Sequence, residues 1–102
     1  MMFLIAGYDE KPRLFETQPS GSLVEYYADA IGQKRYEVLG LLEKRWRHGM
    51  SFDDAVALAL DALKIPLAEG DRLTPERVVL AYVDAGRKFR IMGPDDLAQY
   101  FG

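Results

Sequence analysis

A Pro19-Ser20-Gly21 turn followed by an apolar and aromatic run constrains the fold of this chain more than any other stretch. The run extends from Leu23 to Ala30 and reaches Gly32, beyond which the spacing of apolar residues becomes helical. Apolar, β-branched and aromatic residues directly after such a turn are typical of a strand. The sequence therefore predicts a core strand over 23–30, and the rest of the chain must supply what covers it.

Two more strands are predicted upstream of this turn. Met2 to Tyr8 is a continuous apolar run, the pattern of a strand that is covered on both faces. Arg13 to Thr17 is predicted to pair with it across a polar turn that contains Pro12. Three consecutive antiparallel strands would form a meander.

Helical spacing follows from Gln33 to Arg47, and Gly49 is expected to end this first helix with a left-handed cap. Ser51 is expected to cap a second helix that stops before Pro66. The predicted apolar stripe of the first helix consists of Tyr36, Val38, Leu39, Leu41, Leu42 and Trp46. The predicted apolar face of the second helix consists of Ala55, Val56, Ala59, Leu60 and Leu63.

The last part of the chain predicts a hairpin and a short helix. Strands are expected over 77–83 and 87–92, joined by a turn in which Gly86 takes a positive φ. Pro94 favours the start of a final helix that runs through Tyr100. With 102 residues, the chain is expected to form one α+β domain over 1–102 with the order β-β-β-α-α-β-β-α.

Charge and composition exclude several classes of function. A net charge of −3 without a stripe of clustered Lys and Arg argues against nucleic-acid binding. The chain has no cysteine, which excludes disulfides and thiolate metal sites and is compatible with a reducing cytoplasm. The apolar start is too short for a signal peptide or a membrane-spanning helix. We expect no nucleic-acid partner and no membrane partner.

Few residues suggest chemistry, and each has a structural explanation. His48 is the single histidine and stands at a predicted helix end, where a cation interacts well with terminal carbonyl groups. Asp53-Asp54 and Asp95-Asp96 are candidates for paired catalytic carboxylates, but helix capping is expected to explain them fully. Gly86 and Gly93 are expected in turns rather than in a phosphate-binding loop. We predict no catalytic, cofactor-binding or metal-binding residues, and no cofactor.

Taken together, several motifs resemble the α-type subunits of the 20S proteasome, and most closely the archaeal members. The Pro-Ser-Gly turn followed by Glu-Tyr and Ala-Ile-Gly is, as a set, specific to the α branch rather than the β branch. The resemblance covers essentially the whole chain. Its motifs are Leu4-Ile5-Ala6-Gly7-Tyr8-Asp9, Pro12-Arg13-Leu14-Phe15-Glu16-Thr17, Pro19-Ser20-Gly21, Tyr26 through Gly32, Leu42-Glu43-Lys44, Ser51-Phe52-Asp53-Asp54-Ala55, Leu58-Ala59-Leu60, Thr74-Pro75-Glu76-Arg77-Val78 and Lys88-Phe89-Arg90.

The resemblance implies the C-terminal half of the αββα sandwich found in N-terminal-nucleophile hydrolases, and a non-catalytic structural role. Proteolysis in this family belongs to β-type subunits, whose N-terminal threonine is the nucleophile. This sequence begins Met1-Met2-Phe3, so it is not expected to be an enzyme. It departs from the family at Gln18, where Asp is usual, at Tyr27, where Lys is usual, and at Gln33-Lys34-Arg35, where small residues are common.

Half of a sandwich should leave apolar sheet faces and strand edges uncovered. We therefore expect self-association or binding to a complementary proteasome subunit, within a complex that degrades proteins in the cytoplasm. An alternative is a stand-alone small α/β interaction module that self-associates, in which this half has repacked into its own sandwich. Helices that close one five-stranded sheet would support this alternative. A third hypothesis is an N-terminal-nucleophile hydrolase, which the missing terminal threonine disfavours.

Overall fold

The computed structural model describes residues 2–101 and confirms the predicted α+β class and order of elements. The strands are β1 (Phe3–Tyr8), β2 (Pro12–Thr17), β3 (Leu23–Tyr26), β4 (Ala81–Val83) and β5 (Phe89–Ile91). The helices are α1 (Arg35–Arg45), α2 (Phe52–Lys64) and α3 (Pro94–Ala98), with 3₁₀ turns at Pro75–Arg77 and Gln99–Phe101.

The strands of residues 2–101 form two separate antiparallel sheets. One is the predicted meander in the order β1-β2-β3, and the other is the β4-β5 hairpin. On the central strand, Glu16 stands opposite Leu4 of β1 and Val24 of β3. The single five-stranded sheet of the stand-alone alternative is therefore not formed.

The turn that opens β3 folds as its sequence predicts. The Gln18 N–H donates to the Ser22 carbonyl at 2.9 Å, and the Gly21 N–H donates to the Gln18 carbonyl at 2.9 Å. Gly21 has a φ of 88°, which glycine adopts without the steric cost that a Cβ would bring. The turn thus fixes the register of β3 against β2.

Three predicted boundaries between β3 and α2 were wrong. β3 ends at Tyr26 rather than Ala30. α1 begins at Arg35 rather than Gln33, because Gly32 (φ 108°) and Lys34 (φ 54°) are left-handed and cannot continue a right-handed helix. It also ends earlier, because Trp46 is extended (φ −70°, ψ 137°). Gly49 does have a positive φ of 76°, but it lies beyond the helix end and does not cap it.

The C-terminal hairpin is shorter than the sequence predicts. Arg77 belongs to a 3₁₀ turn that starts at Pro75, so β4 begins only at Ala81. The predicted positive φ at Gly86 was wrong, since Arg87 takes it instead (φ 60°). The Asp84 carboxylate accepts a hydrogen bond from the Gly86 N–H at 2.9 Å, and this local bond shapes the turn without a left-handed glycine.

The core lies between α1 and α2, where Val38, Leu42, Leu58 and Ala62 form one buried cluster. The predicted faces were only partly correct. Tyr36 is 82% exposed, and in α2 Leu58 and Ala62 are buried whereas Ala55, Ala59 and Leu63 are exposed. The cause is that α2 is buried on two sides. Val56 and Leu60 are four residues apart on one side, and Leu58 and Ala62 are four apart on another.

Candidate functional site: an uncovered sheet face

The three-stranded sheet has one half-buried face and one exposed face. Alternation along the strands and the register place the side chains of Phe3, Ile5, Phe15 and Leu23, together with Arg13, Thr17 and Glu25, on the exposed face, which we call the outer face. Phe3, Ile5 and Leu23 are 54%, 53% and 59% exposed. The predictions that β1 is covered on both faces and that β3 is a core strand were therefore wrong for this chain.

One end of the outer face is charged. The Arg13 Nε and Nη2 donate to the two carboxylate oxygens of Glu25 at 3.1 and 3.2 Å, and Nη1 donates to Asp9 at 3.3 Å. The guanidinium also lies 5.3 Å from the centre of the Phe15 ring. Its hydrogen bond holds the pKa of Glu25 below its usual value. The remaining part of the face, around Phe3, Ile5 and Leu23, is apolar.

A groove of 1220 Å³ separates this sheet from the β4-β5 hairpin. Its lining includes three aromatic residues that contact one another: Tyr27 stacks on Trp46 with ring centres 4.6 Å apart, and His48 lies edge-on to both at 4.8 and 4.7 Å. The single histidine is thus part of an aromatic cluster on the groove wall. Tyr82 and Phe89 lie on the side of the hairpin.

The predicted acidic pairs lie in the first turns of α2 and α3, but the expectation that they cap these helices was wrong, because Ser51 caps α2 and α3 has no side-chain cap. The Ser51 hydroxyl accepts a hydrogen bond from the Asp54 N–H at 3.1 Å, which confirms the predicted cap of α2. The neighbouring Asp53 accepts a hydrogen bond from the Tyr100 hydroxyl at 2.5 Å, which raises the pKa of that phenol. Asp95 and Asp96 lie in the first turn of α3, after Gly93 at its N-cap.

Sequence reasoning missed a buried charge cluster made of Glu16, Asp29 and Arg35. The side chains of Glu16 and Asp29 are 1% and 0% exposed, whereas that of Arg35 is 21% exposed. Arg35 Nη2 donates to Glu16 Oε2 at 2.7 Å and lies 3.7 Å from Asp29 Oδ1, while its Nε donates to the Ala30 carbonyl at 2.8 Å. The one signal in the sequence was a glutamate at an inward-facing position of the central strand.

The two carboxyl groups of the cluster differ in their acidity. Burial, followed by contact with Glu16, raises the pKa of Asp29. The interaction with Asp29, followed by the charge and hydrogen bond of Arg35, lowers the pKa of Glu16. Within residues 2–101, no donor bonds to either Asp29 oxygen with normal geometry.

Residues 2–101 contain no group of three or more His, Asp or Glu side chains that could hold a metal ion. In the same part of the chain, no helix has the length and apolar character needed to cross a membrane.

Comparison with known proteins then decides the family. The family model described as "Proteasome subunit" matches residues 1–83. The chain belongs to the proteasome subunit family. This confirms the resemblance, and the strands and helices described above are consistent with an α+β fragment of the N-terminal-nucleophile-hydrolase fold.

Several similar curated proteins are archaeal and carry the name proteasome subunit alpha. The chain is 44% identical over 98 residues to the protein of Archaeoglobus fulgidus and 47% identical over 100 residues to that of Methanosarcina acetivorans. Each alignment covers 95% of this chain and 39% of the relative. The protein of Metallosphaera sedula is 36% identical over 98 residues, which cover 95% of this chain and 41% of the relative. The chain thus spans about two fifths of the length of the curated relatives it matches.

Proposed function

We propose that this chain is a non-catalytic structural component of a proteasome α-type subunit. In this proposal residues 1–102 form a single domain that corresponds to the C-terminal half of the subunit fold. The outer face of the three-stranded sheet packs against the complementary part of such a subunit, and the assembled complex takes part in protein degradation. The uncovered apolar outer face is the observation that carries the proposal.

The physical case for a partner rests on the apolar area that remains in contact with water. Phe3, Ile5 and Leu23 lie on one face, and each is more than half exposed. Clustered exposed apolar side chains mark interaction sites, because burying a large aliphatic or aromatic side chain contributes about 1.5–3 kcal/mol. In addition, β1 and β3 are both edge strands of this sheet, with one side of each backbone available for pairing.

A non-catalytic role is supported by the structural tasks of the hydroxyl groups. The Ser51 hydroxyl caps α2, and the Thr17 hydroxyl accepts a hydrogen bond from the Phe3 N–H at 2.9 Å. Ser20 and Ser22 bond to each other at 3.1 Å in the exposed turn. We also propose a cytoplasmic location, which the absence of cysteine supports.

Size-exclusion chromatography with light scattering tests the partner. The purified chain is expected to self-associate when alone, and to form a defined complex with a separately expressed N-terminal part of an archaeal proteasome α subunit. The double variant Ile5→Lys/Leu23→Lys should lose both kinds of association, because charges on the outer face cannot be buried without a partner charge. Val79→Lys is the matched control, since Val79 is 84% exposed and lies outside this face.

Two results would contradict the proposal. One is a chain that stays folded and monomeric in dilute solution and does not bind the complementary part. The other is reproducible cleavage of fluorogenic peptides that is lost on mutating a residue of this chain. We expect no turnover of such peptides.

Self-association of the chain without binding to the complementary part would instead favour the stand-alone interaction module. One observation supports this second candidate: the cluster of Val38, Leu42, Leu58 and Ala62 is buried between α1 and α2 without any partner chain. A core that closes by itself is what an independent module requires.

A further inference from the structure

The buried cluster of Glu16, Asp29 and Arg35 joins three parts of the chain. Glu16 lies on the central strand β2, Asp29 on the segment that leaves β3, and Arg35 at the first residue of α1. Through its Nε and Nη2 atoms, Arg35 bonds both to the Ala30 carbonyl and to Glu16. The cluster thus attaches the start of the helical layer to the sheet.

The charges within the cluster do not balance. If both carboxyl groups were ionised, two negative charges would face one guanidinium, and one charge would be left over. Since the side chains of Glu16 and Asp29 are 1% and 0% exposed, water cannot compensate that charge. An uncompensated buried charge is strongly destabilising.

Among residues 2–101, Asp29 is the carboxyl group of the cluster that has no hydrogen-bond donor. Arg35 Nη2 makes its short contact, 2.7 Å, to Glu16 and lies 3.7 Å from Asp29, beyond hydrogen-bonding distance. Among residues 2–101, neither Asp29 oxygen receives a hydrogen bond of normal geometry. A proton on Asp29 would remove the surplus charge and turn one of these oxygens into a donor toward the Glu16 carboxylate.

We propose that Glu16 and Asp29 bind one proton between them, carried on Asp29, and that this proton holds the 27–34 segment and the start of α1 against the sheet. The other groups that face the pair are Arg35, the side chain of Gln18 beside Glu16, the backbone N–H of Ala30 beside Asp29, and the Tyr36 ring, which lies 5.7 Å from the Arg35 guanidinium. Release of the proton leaves the surplus charge buried and loosens this attachment. The inference concerns the inner side of the sheet and does not depend on what covers the outer face.

The pKa shifts of Asp29 and Glu16 determine how their contribution to the stability of the folded chain depends on pH. The raised pKa of Asp29 means that its contribution to stability is complete below the unfolded aspartate value, about 3.9, and is lost as the pH rises through the folded value. The lowered pKa of Glu16 means that its contribution is present above the unfolded glutamate value, about 4.3, and is lost as the pH falls. The contribution of this pair to stability should therefore be greatest in weakly acidic solution and should fall as the pH rises.

Urea unfolding of the full chain from pH 4 to pH 9 tests the proposal. Between the unfolded and folded pKa values of Asp29, the ratio of the wild-type unfolding constant to that of Asp29→Asn should rise about tenfold per pH unit. Asp29→Asn mimics the protonated acid, so its unfolding constant should fall increasingly below that of the wild type. Asp95→Asn, at an exposed aspartate in the first turn of α3, should keep the wild-type profile. Parallel profiles of the wild type and Asp29→Asn would overturn the proposal.

A direct measurement covers the case in which Asp29→Asn does not fold. In the wild type with ¹³C-labelled aspartate, NMR should show one aspartate carboxyl that stays protonated to a higher pH than the others, and Asp29 is the expected residue. In Glu16→Gln, Arg35 is free to pair with Asp29, so this resonance should move to the pH range of the other aspartates. A wild-type spectrum in which all aspartates ionise together would overturn the proposal.

Discussion

Both faces of the three-stranded sheet carry apolar side chains, but the two faces differ in how far the rest of the chain covers them. The inner face contains Glu16, which is 1% exposed and bonded to Arg35 of α1. The outer face contains Phe3 and Ile5, which are both more than half exposed. In an antiparallel sheet with one face toward water, that face is ordinarily polar. The exposed apolar side chains of the outer face depart from this pattern, which supports the proposal that a partner covers them.

The largest effect is expected from a substitution in the helical core, and it tests whether the core on the inner side of the sheet is enough to stabilise this chain. Leu58, in the core between α1 and α2, is 3% exposed, and Leu58→Ala should cost about 3 kcal/mol because it leaves a cavity. Ile5→Ala on the outer face should cost about 1 kcal/mol or less, because half of that side chain is already in water. Urea denaturation at low protein concentration measures both losses. Equal losses would mean that the outer face is already covered in the monomer.

An effect of intermediate size is expected when the arginine that pairs on each face of the sheet is replaced. Arg35→Met leaves Glu16 buried without its partner and should cost about 2–3 kcal/mol, toward the low end for buried pairs because Arg35 is partly exposed. This loss should shrink as the pH falls below the unfolded glutamate value, where the wild type also loses the contribution of Glu16. Arg13→Met on the outer face should cost less than about 1 kcal/mol, as is typical of exposed ion pairs.

The same denaturation series would decide this comparison. If Arg13→Met costs as much as Arg35→Met at neutral pH, the distinction between a buried and an exposed pair does not hold for this sheet.

The smallest expected effect concerns the helix that builds the inner side. Ser51→Ala removes the hydroxyl that accepts from the Asp54 N–H, and should lower the free energy of unfolding by about 1 kcal/mol. Ser20→Ala is the control, because its hydroxyl bonds only within an exposed turn and its loss should cost less than about 0.5 kcal/mol. Circular dichroism during thermal unfolding measures both variants, and equal shifts in Tm would argue against a capping role.

Local sequence patterns predicted the elements well where one residue type fixes the backbone. Ser51 capped α2 and the Pro19-Ser20-Gly21 turn placed β3, because these residues act through bonds only a few positions away. The predicted ends of helices and turns were wrong where a residue other than glycine adopts a left-handed backbone conformation. Lys34 and Arg87 both have a positive φ, a conformation that their side chains do not signal.

The candidate site was predicted only in outline. The expectation of uncovered sheet faces came from the family resemblance, and the structure then assigned them to Phe3, Ile5 and Leu23. The partners of Glu16 could not be predicted. Asp29 and Arg35 are 13 and 19 positions away along the chain, and only the path of the segment between β3 and α1 brings them together.

The sequence by itself determined the order of strands and helices, the turn before β3, the cap of α2 and membership of the proteasome subunit family. These features rest on local backbone preferences and on motifs that can be read residue by residue. Only the tertiary structure decided which face of the sheet is covered and which carboxylate is buried without a donor. When both faces of a strand are apolar, alternation cannot show which one meets the helices. The burial of Asp29 depends on contacts that no local pattern records.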